Sequence, residues 1–234
     1  MIICLETSTP LCSVALCDKS GVIETRESKE GKSHAAKLTV FIEELLLNAG
    51  LSVKDLEAVV VSKGPGSYTG LRIGVSVAKG MAYAASIPLI GIETPLSMFC
   101  GITESIKKKY GADKTTLYCP MLDARRMEVY YALFDAQGNI VKEISAETID
   151  KNSFAQISDQ VKILFFGDGC AKYRDKIQRK NIDFVDEFRI SAASMQKPAY
   201  KAIAEHNYED VAYFEPYYLK DFITSKPVKN ILGI

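Results

Sequence analysis

Histidine is scarce in this chain: His34 and His206 are the only two in 234 residues. His34 has Leu38 rather than a second ligand four residues on, and no cluster of ligating residues surrounds His206. The H-x-x-x-H and H-E-x-x-H helices of zinc hydrolases are missing, which argues against that chemistry and against a Ser-His-Asp hydrolase. Net charge is lacking too, with 29 basic and 29 acidic side chains. Sequence alone therefore gives no basic footprint for unaided nucleic-acid binding. No apolar run approaches the ~20 residues of a membrane span. The opening MIICLETST has too short an apolar run, and an acid at Glu6, to read as a signal peptide. The six cysteines (Cys4, Cys12, Cys17, Cys100, Cys119 and Cys170) contain no C-x-x-C pair and lie mostly in apolar stretches. They read as buried, reduced thiols of a cytoplasmic protein.

What the chain does have is alternation. Met1 to Leu5, Cys12 to Cys17 and Val22 to Glu27 read as an antiparallel meander, with Asp18-Lys19-Ser20-Gly21 as a turn. Ser33 is placed to cap a helix to about Ala49, stopped by Gly50. Ser52 and Asp55 form a capping-box pattern. Then come a strand over 57–62, a glycine loop, a helix from about Thr69 to Ala85 and a strand over 89–92. The second half starts again with strands over 117–122, 127–134 and 140–145. A buried run over 163–166 ends in Gly167-Asp168-Gly169, and helical stretches follow over 171–179 and 191–205. A three-strand-plus-helices unit that occurs twice is the hallmark of the actin/hexokinase/Hsp70-like α/β fold, with mixed sheets flanked by helices. The expected division is a lobe over 1–100, a lobe over 101–207, a hinge near 98–112, and a tail over 208–234. The tail holds Pro227 and an aromatic cluster of Tyr213, Phe214, Tyr217 and Tyr218, and is expected to pack back on the body.

The most informative segment is Lys63 to Ala85, KGPGSYTGLRIGVSVAKGMAYAA. A β-branched run feeds Gly64, Gly66, Ser67, Thr69 and Gly70, which open directly into a helix. Glycines permit close backbone approach, and a helix start offers unpaired N–H groups and a positive dipole end. Such a unit is either an anion or nucleotide cradle or a tight structural turn. The G-K-[ST] ending of a Walker A loop is absent. Glu6, Thr7 and Ser8, at the end of the first strand, are candidates to hold a magnesium-bound phosphate, or simply a strand-to-turn sequence. Asp168 is a candidate to line the same cleft, or a turn residue. Asp123-Ala124-Arg125 is a functional charge pair or a hairpin ion pair.

Two helices are apolar around most of their circumference. In the later one the only polar stripe is Arg72, Ser76, Lys79 and Tyr83. In the earlier one Val40 and Leu47 lie almost opposite Leu38, Phe41, Ile42 and Leu45. Either both helices are interior, or together they present one apolar docking surface.

The motifs together resemble the bacterial TsaB (YeaZ) family. They are the Ile3-to-Thr9 strand end, His34, GPGSYTGLRIGVSVAKGMA, Leu122-Asp123-Ala124-Arg125-Arg126-Met127-Glu128-Val129-Tyr130, Gly167-Asp168-Gly169 and Pro216-Tyr217-Tyr218-Leu219-Lys220. The match covers most of the length; the family usually has Phe where Tyr68 stands and often Arg where Lys220 stands. The resemblance implies a non-catalytic subunit in synthesis of N6-threonylcarbamoyladenosine in tRNA. Such a subunit binds and activates its paralogue TsaD, with the ATPase TsaE completing the assembly, tRNA engaged indirectly, and a homodimer when isolated. It implies an interface of His34, Val40, Leu47, Leu71, Arg72, Val75, Ala78, Lys79, Met81 and Ala82. In the catalytic relatives a histidine pair holds a metal; here Thr94 and Met98 stand at those positions, so no metal and no required cofactor are expected, with weak nucleotide binding at most. The rival readings are an independent ATPase or kinase of the same fold, and a glycoprotease-type metallopeptidase.

Overall fold

The computed structural model describes residues 1–29 and 34–220, so the expected cap at Ser33 and the tail beyond Lys220, Pro227 included, lie outside the described residues. Among the described residues the strands fall into two five-stranded sheets. The first holds β1 (Ile2–Glu6), β2 (Cys12–Cys17), β3 (Val22–Ser28), β4 (Ala58–Gly64) and β5 (Leu89–Glu93) in the order β3-β2-β1-β4-β5. The second holds β6 (Leu117–Asp123), β7 (Val129–Phe134), β8 (Ile140–Glu147), β9 (Ile163–Phe166) and β10 (Ile182–Val185) in the order β10-β9-β6-β7-β8. Numbered within each sheet, both orders are third-second-first-fourth-fifth, with an antiparallel meander on one side of the first strand and parallel neighbours on the other. The duplicated actin-like architecture is therefore present in both halves.

β1, β2 and β4 read as unbroken apolar runs because both of their faces are covered. Successive side chains point to opposite faces. Ile3, Leu5, Val14, Leu16, Val59 and Val61 meet α1 (His34–Ala49) and α2 (Tyr68–Ala85). Ile2, Cys4, Ala15, Cys17, Ala58 and Val60 meet Ala192, Met195, Ala199 and Ala202 instead. These come from a 3-10 turn, Ala192–Met195, and α5 (Gln196–Ala204), not from one continuous helix over 191–205. Residues grouped by sequence with the second lobe thus complete the core of the first. Residues 98–112, expected as a hinge, contain the end of α3 (Thr94–Cys100) and α4 (Glu104–Lys109). Met98, Ile102 and Phe188 fill one face of the second sheet, and Phe154, Tyr173 and Ile177 the other.

The helix expected over 171–179 is only a 3-10 turn at Cys170–Lys172 followed by turns. Tertiary demands override the local preference. Tyr173 is fully buried. The Arg179 guanidinium donates to the carbonyls of Phe154 (3.1 Å), Ile157 (2.8 Å), Ser158 (2.6 Å) and Val161 (3.1 Å), which fixes where the segment ends. β10 was not legible because its run, Ile-Asp-Phe-Val, is short and interrupted by a charge.

Candidate functional site

The glycine loop lies at the carboxyl end of β4, beside the end of β1. Ser67 caps α2, its hydroxyl accepting from the Gly70 N–H at 3.3 Å, while its own N–H donates to the Ser8 carbonyl at 2.6 Å. Thr7 Oγ1 donates to the Gly70 carbonyl at 2.8 Å. A methyl group on Gly66 would collide with the Ser8 carbonyl, on Gly70 with the Thr7 carbonyl, and on Gly74 with the Thr7 hydroxyl. The three glycines therefore let α2 rest directly on the strand end. Glu6, Thr7, Ser8 and Thr9 are buried beneath it. The tail covers the loop from the other side. The Tyr217 N–H donates to the Lys63 carbonyl at 2.7 Å, and the Tyr217 carbonyl lies above Gly64, which has φ +114° and a cis bond to Pro65. Of the expected cradle, Thr69 and Asp168 are exposed, with Ser67 and Gly66 partly so.

The second lobe repeats the device. Glu6 Oε1 accepts from the Ser8 N–H at 2.7 Å, and Asp123 Oδ1 accepts from the Arg125 N–H at 2.6 Å, the same two-residue turn at the end of each first strand. Gly169 and Gly167 press on Met121 and Leu122 as Gly66 presses on Ser8. Asp168 accepts from the Asp123 N–H at 3.0 Å and so ties its loop to β6. Asp123 pairs with Lys172, not with the side chain of Arg125. Its turn carries Arg125, Arg126 and Met127, all with positive φ, a conformation that non-glycine residues rarely adopt.

The two carboxylates differ in setting. Asp123 is exposed and paired, whereas Glu6 is buried and, among the described residues, its Oε2 has no hydrogen-bond partner, like the nearby Ser8 hydroxyl. Burial pushes the Glu6 carboxyl up, against the opposing pull of the Ser8 hydroxyl and N–H, the nearby Ser62 hydroxyl and the His34 ring. A native state that holds its proton more tightly than the unfolded chain loses stability as pH rises from the unfolded value to the folded one. Glu6→Gln keeps the acceptor for Ser8 and removes the charge. It is expected to raise stability near pH 7.5 by about 1–3 kcal/mol, an advantage that fades as pH falls toward the ordinary glutamate pKa of about 4.3. Calorimetric melting of both proteins across that range checks it.

The remaining candidates separate into two groups. Val75, Ala78 and Ala82, expected at a partner interface, are buried on the chain's own sheet, because the small residues of α2 let it sit close to the strands, and Leu71 is buried beside Gly64. His34 is buried as well. Its Nε2 faces the Thr9 and Leu11 carbonyls at 2.8 and 3.2 Å; these can only accept, so this nitrogen carries the proton and the ring clamps the β1–β2 turn. Val40 (44% exposed) and Leu47 (70%) lie in water on α1, as do Arg72 and Tyr83 (81%) on α2, while Met81 is half-buried. Lys79 donates to the carbonyls of Ala212 (3.1 Å) and Phe214 (2.8 Å) and is thereby committed to the tail. Thr94 is buried and its hydroxyl lies 2.9 Å from that of Ser62, and the Met98 thioether is packed in the second core. With one hydroxyl engaged and the sulfur turned inward, these two residues do not fit a metal centre.

Two sheets of one strand order, each with a glycine loop seated on the end of its first strand, define a protein of the actin/hexokinase/Hsp70 architecture. A family model described as "TsaD: tRNA N6-adenosine threonylcarbamoyltransferase" matches residues 23–221. The "tRNA threonylcarbamoyladenosine biosynthesis protein TsaB" of Buchnera aphidicola subsp. Schizaphis graminum is 30% identical over 77% of this chain and 82% of its own length. The Escherichia coli protein of the same name is 33% identical, over 59% of this chain and 56% of its own. The chain thus spans little more than half the length of that relative. The solved structure of YeaZ from Pseudomonas aeruginosa superposes with a TM-score of 0.80 at 22% identity, over 93% of this chain and 99% of that one. The chain belongs to the TsaB (YeaZ) family.

Proposed function

We propose that this protein is a non-catalytic subunit for threonylcarbamoyladenosine synthesis in tRNA, and that it works by docking to the catalytic paralogue TsaD, with TsaE as a further partner. The reading is supported by the relatives' names. The observation that carries it is a contrast within the chain. Glu6, Thr7 and Ser8, the groups that would hold a metal-bound phosphate at the glycine loop, are sealed under α2, while α1 and α2 leave Val40, Leu47 and Tyr83 in water. Unpaired apolar side chains on neighbouring helices fit a helix–helix interface, formed with TsaD or with a second copy of this chain. The working interface then centres on Val40, Leu47, Arg72, Met81 and Tyr83 rather than on the inward residues of α2.

Co-purification with TsaD, followed by a tRNA modification assay with and without this chain, tests the role. Leu47→Asp adds a charge to a side chain that is 70% exposed on α1. It is expected to leave thermal stability within about 0.5 kcal/mol and to weaken association at least about tenfold, equivalent to about 1.4 kcal/mol. Full modification activity without this chain, or unchanged association of Leu47→Asp and Val40→Asp, would overturn the proposal.

A further inference from the structure

The tail does more than cover one lobe. It leaves α5 and joins the first sheet, where the Glu209 N–H donates to the Leu89 carbonyl at 2.8 Å and Lys63 pairs with the Glu209 carboxylate at 3.4 Å. Lys79 of α2 then holds two tail carbonyls, those of Ala212 and Phe214. Tyr217 is fixed to Lys63, and the Tyr218 ring lies 4.9 Å from that of Tyr68 at the start of α2. Two residues later the chain is on the other lobe. Lys220 pairs with Glu128, approaches the Ala124 carbonyl at 3.4 Å, and lies 5.9 Å from the centre of the Tyr130 ring. Residues 209–220 thus run from the amino end of β5, past the carboxyl end of β4, to the turn that follows β6. A hollow of about 510 Å³ lies against this segment, lined by Lys63, Glu93, Glu209 and tail residues 213–218.

The carboxyl ends of the strands are where ligands enter open α/β sheets, so a segment that spans them controls how far the lobes part. The geometry points to residues 209–220 as an interlobe clasp. Its fixed end is the β-bridge at Leu89 and the Lys79 anchor; its releasable end is the Lys220–Glu128 pair. The ends differ in kind. The first is held by backbone hydrogen bonds and a lysine on two carbonyls, the second, among the described residues, by the partly exposed Lys220 ammonium on Glu128 with the Ala124 carbonyl and the Tyr130 ring beside it, which yields to competing charge far more readily. Opening of the lobes therefore begins at Lys220. The clasp is a property of the isolated chain and stands apart from the docking proposal.

Hydrogen exchange and small-angle scattering on the full chain test the clasp without any partner. Lys220→Glu places like charges together at Glu128. It is expected to speed exchange of the Tyr217 amide at least tenfold and to increase the radius of gyration, with protection of the β1 amides unchanged. The reversed pair Glu128→Lys with Lys220→Glu restores both readings to those of the parent. Tyr217 exchange within twofold of the parent in Lys220→Glu, an unchanged radius of gyration, or a reversed pair that fails to restore them would overturn the clasp.

Discussion

Gly70→Ala is expected to be among the most damaging single-methyl additions in this protein. The added carbon points at the Thr7 carbonyl, a backbone atom of a buried strand end that has nowhere to retreat. Relief requires α2 to lift, which would stretch the contact from Thr7 Oγ1 to the Gly70 carbonyl and that from the Ser67 N–H to the Ser8 carbonyl. Overpacking of this kind costs about 1–3 kcal/mol, and the strained hydrogen bonds add about 1 kcal/mol each. A loss of about 3 kcal/mol or more follows, read from urea unfolding. Gly80 supplies the control within the same helix. Among the described residues nothing lies within 4 Å of its added carbon outside the helix's own backbone. There the same substitution removes backbone freedom from the unfolded chain and is expected to stabilise by about 0.5–1 kcal/mol. Opposite signs at two glycines ten residues apart would isolate seating of the helix from helix propensity.

Arg179→Ala is expected to release residues 150–161. The side chain is 7% exposed and its guanidinium satisfies four carbonyls of one loop, three of them part-buried, so its removal leaves those acceptors without their donor. One of them belongs to Phe154, a buried aromatic residue held at φ +70°, where a bulky side chain is strained. Loss of charged hydrogen bonds costs about 1.5–3 kcal/mol each when partners stay buried, so a net loss of about 3 kcal/mol is expected after the loop relaxes. Limited proteolysis should show the same change as new cleavage within 150–161, while the first lobe stays resistant. Arg179→Lys keeps the charge and not the planar fork, so it should recover only part of the loss.

The strands were legible where their chemistry was extreme. Val59-Val60-Val61 and Ile163 to Phe166 are apolar on both faces, and the structure places both in interior strands, next to the central one of each sheet. The glycine loop was legible as a close approach, but not what approaches it. Gly66 and Gly70 are compatible with a phosphate or with the chain's own Ser8 and Thr7 carbonyls, and no local pattern separates those partners. The inward turn of Leu71, Val75, Ala78 and Ala82 was hidden for a related reason. A helix that is apolar all round gives no sign of which face meets its own sheet. Here the glycines decide, since Gly70 and Gly74 mark the side in contact with β1. Arg179 left no signal, because a lone arginine in a polar stretch resembles any solvated one. The tail anchors at Lys79 and Lys220 join residues about a hundred or more positions apart, with no periodicity to betray them.

The cover of the first sheet has a consequence for synthesis. One face of β1, β2, β4 and β5 is closed by residues 192–204, which are translated last among the parts of that core. When Glu93 has left the ribosome, Ile2, Cys4, Ala15, Cys17, Ala58, Val60 and Ile90 already stand ready on a nascent sheet with no lid. About a hundred residues remain to be made, which at about 5–20 residues per second takes about 5–20 seconds. For that interval the growing chain carries a greasy half-built surface, the kind of site that trigger-type chaperones shield and neighbouring polysomal chains can stick to. A cell making this protein quickly would gain most from slow codons placed after residue 204, not after the first lobe ends.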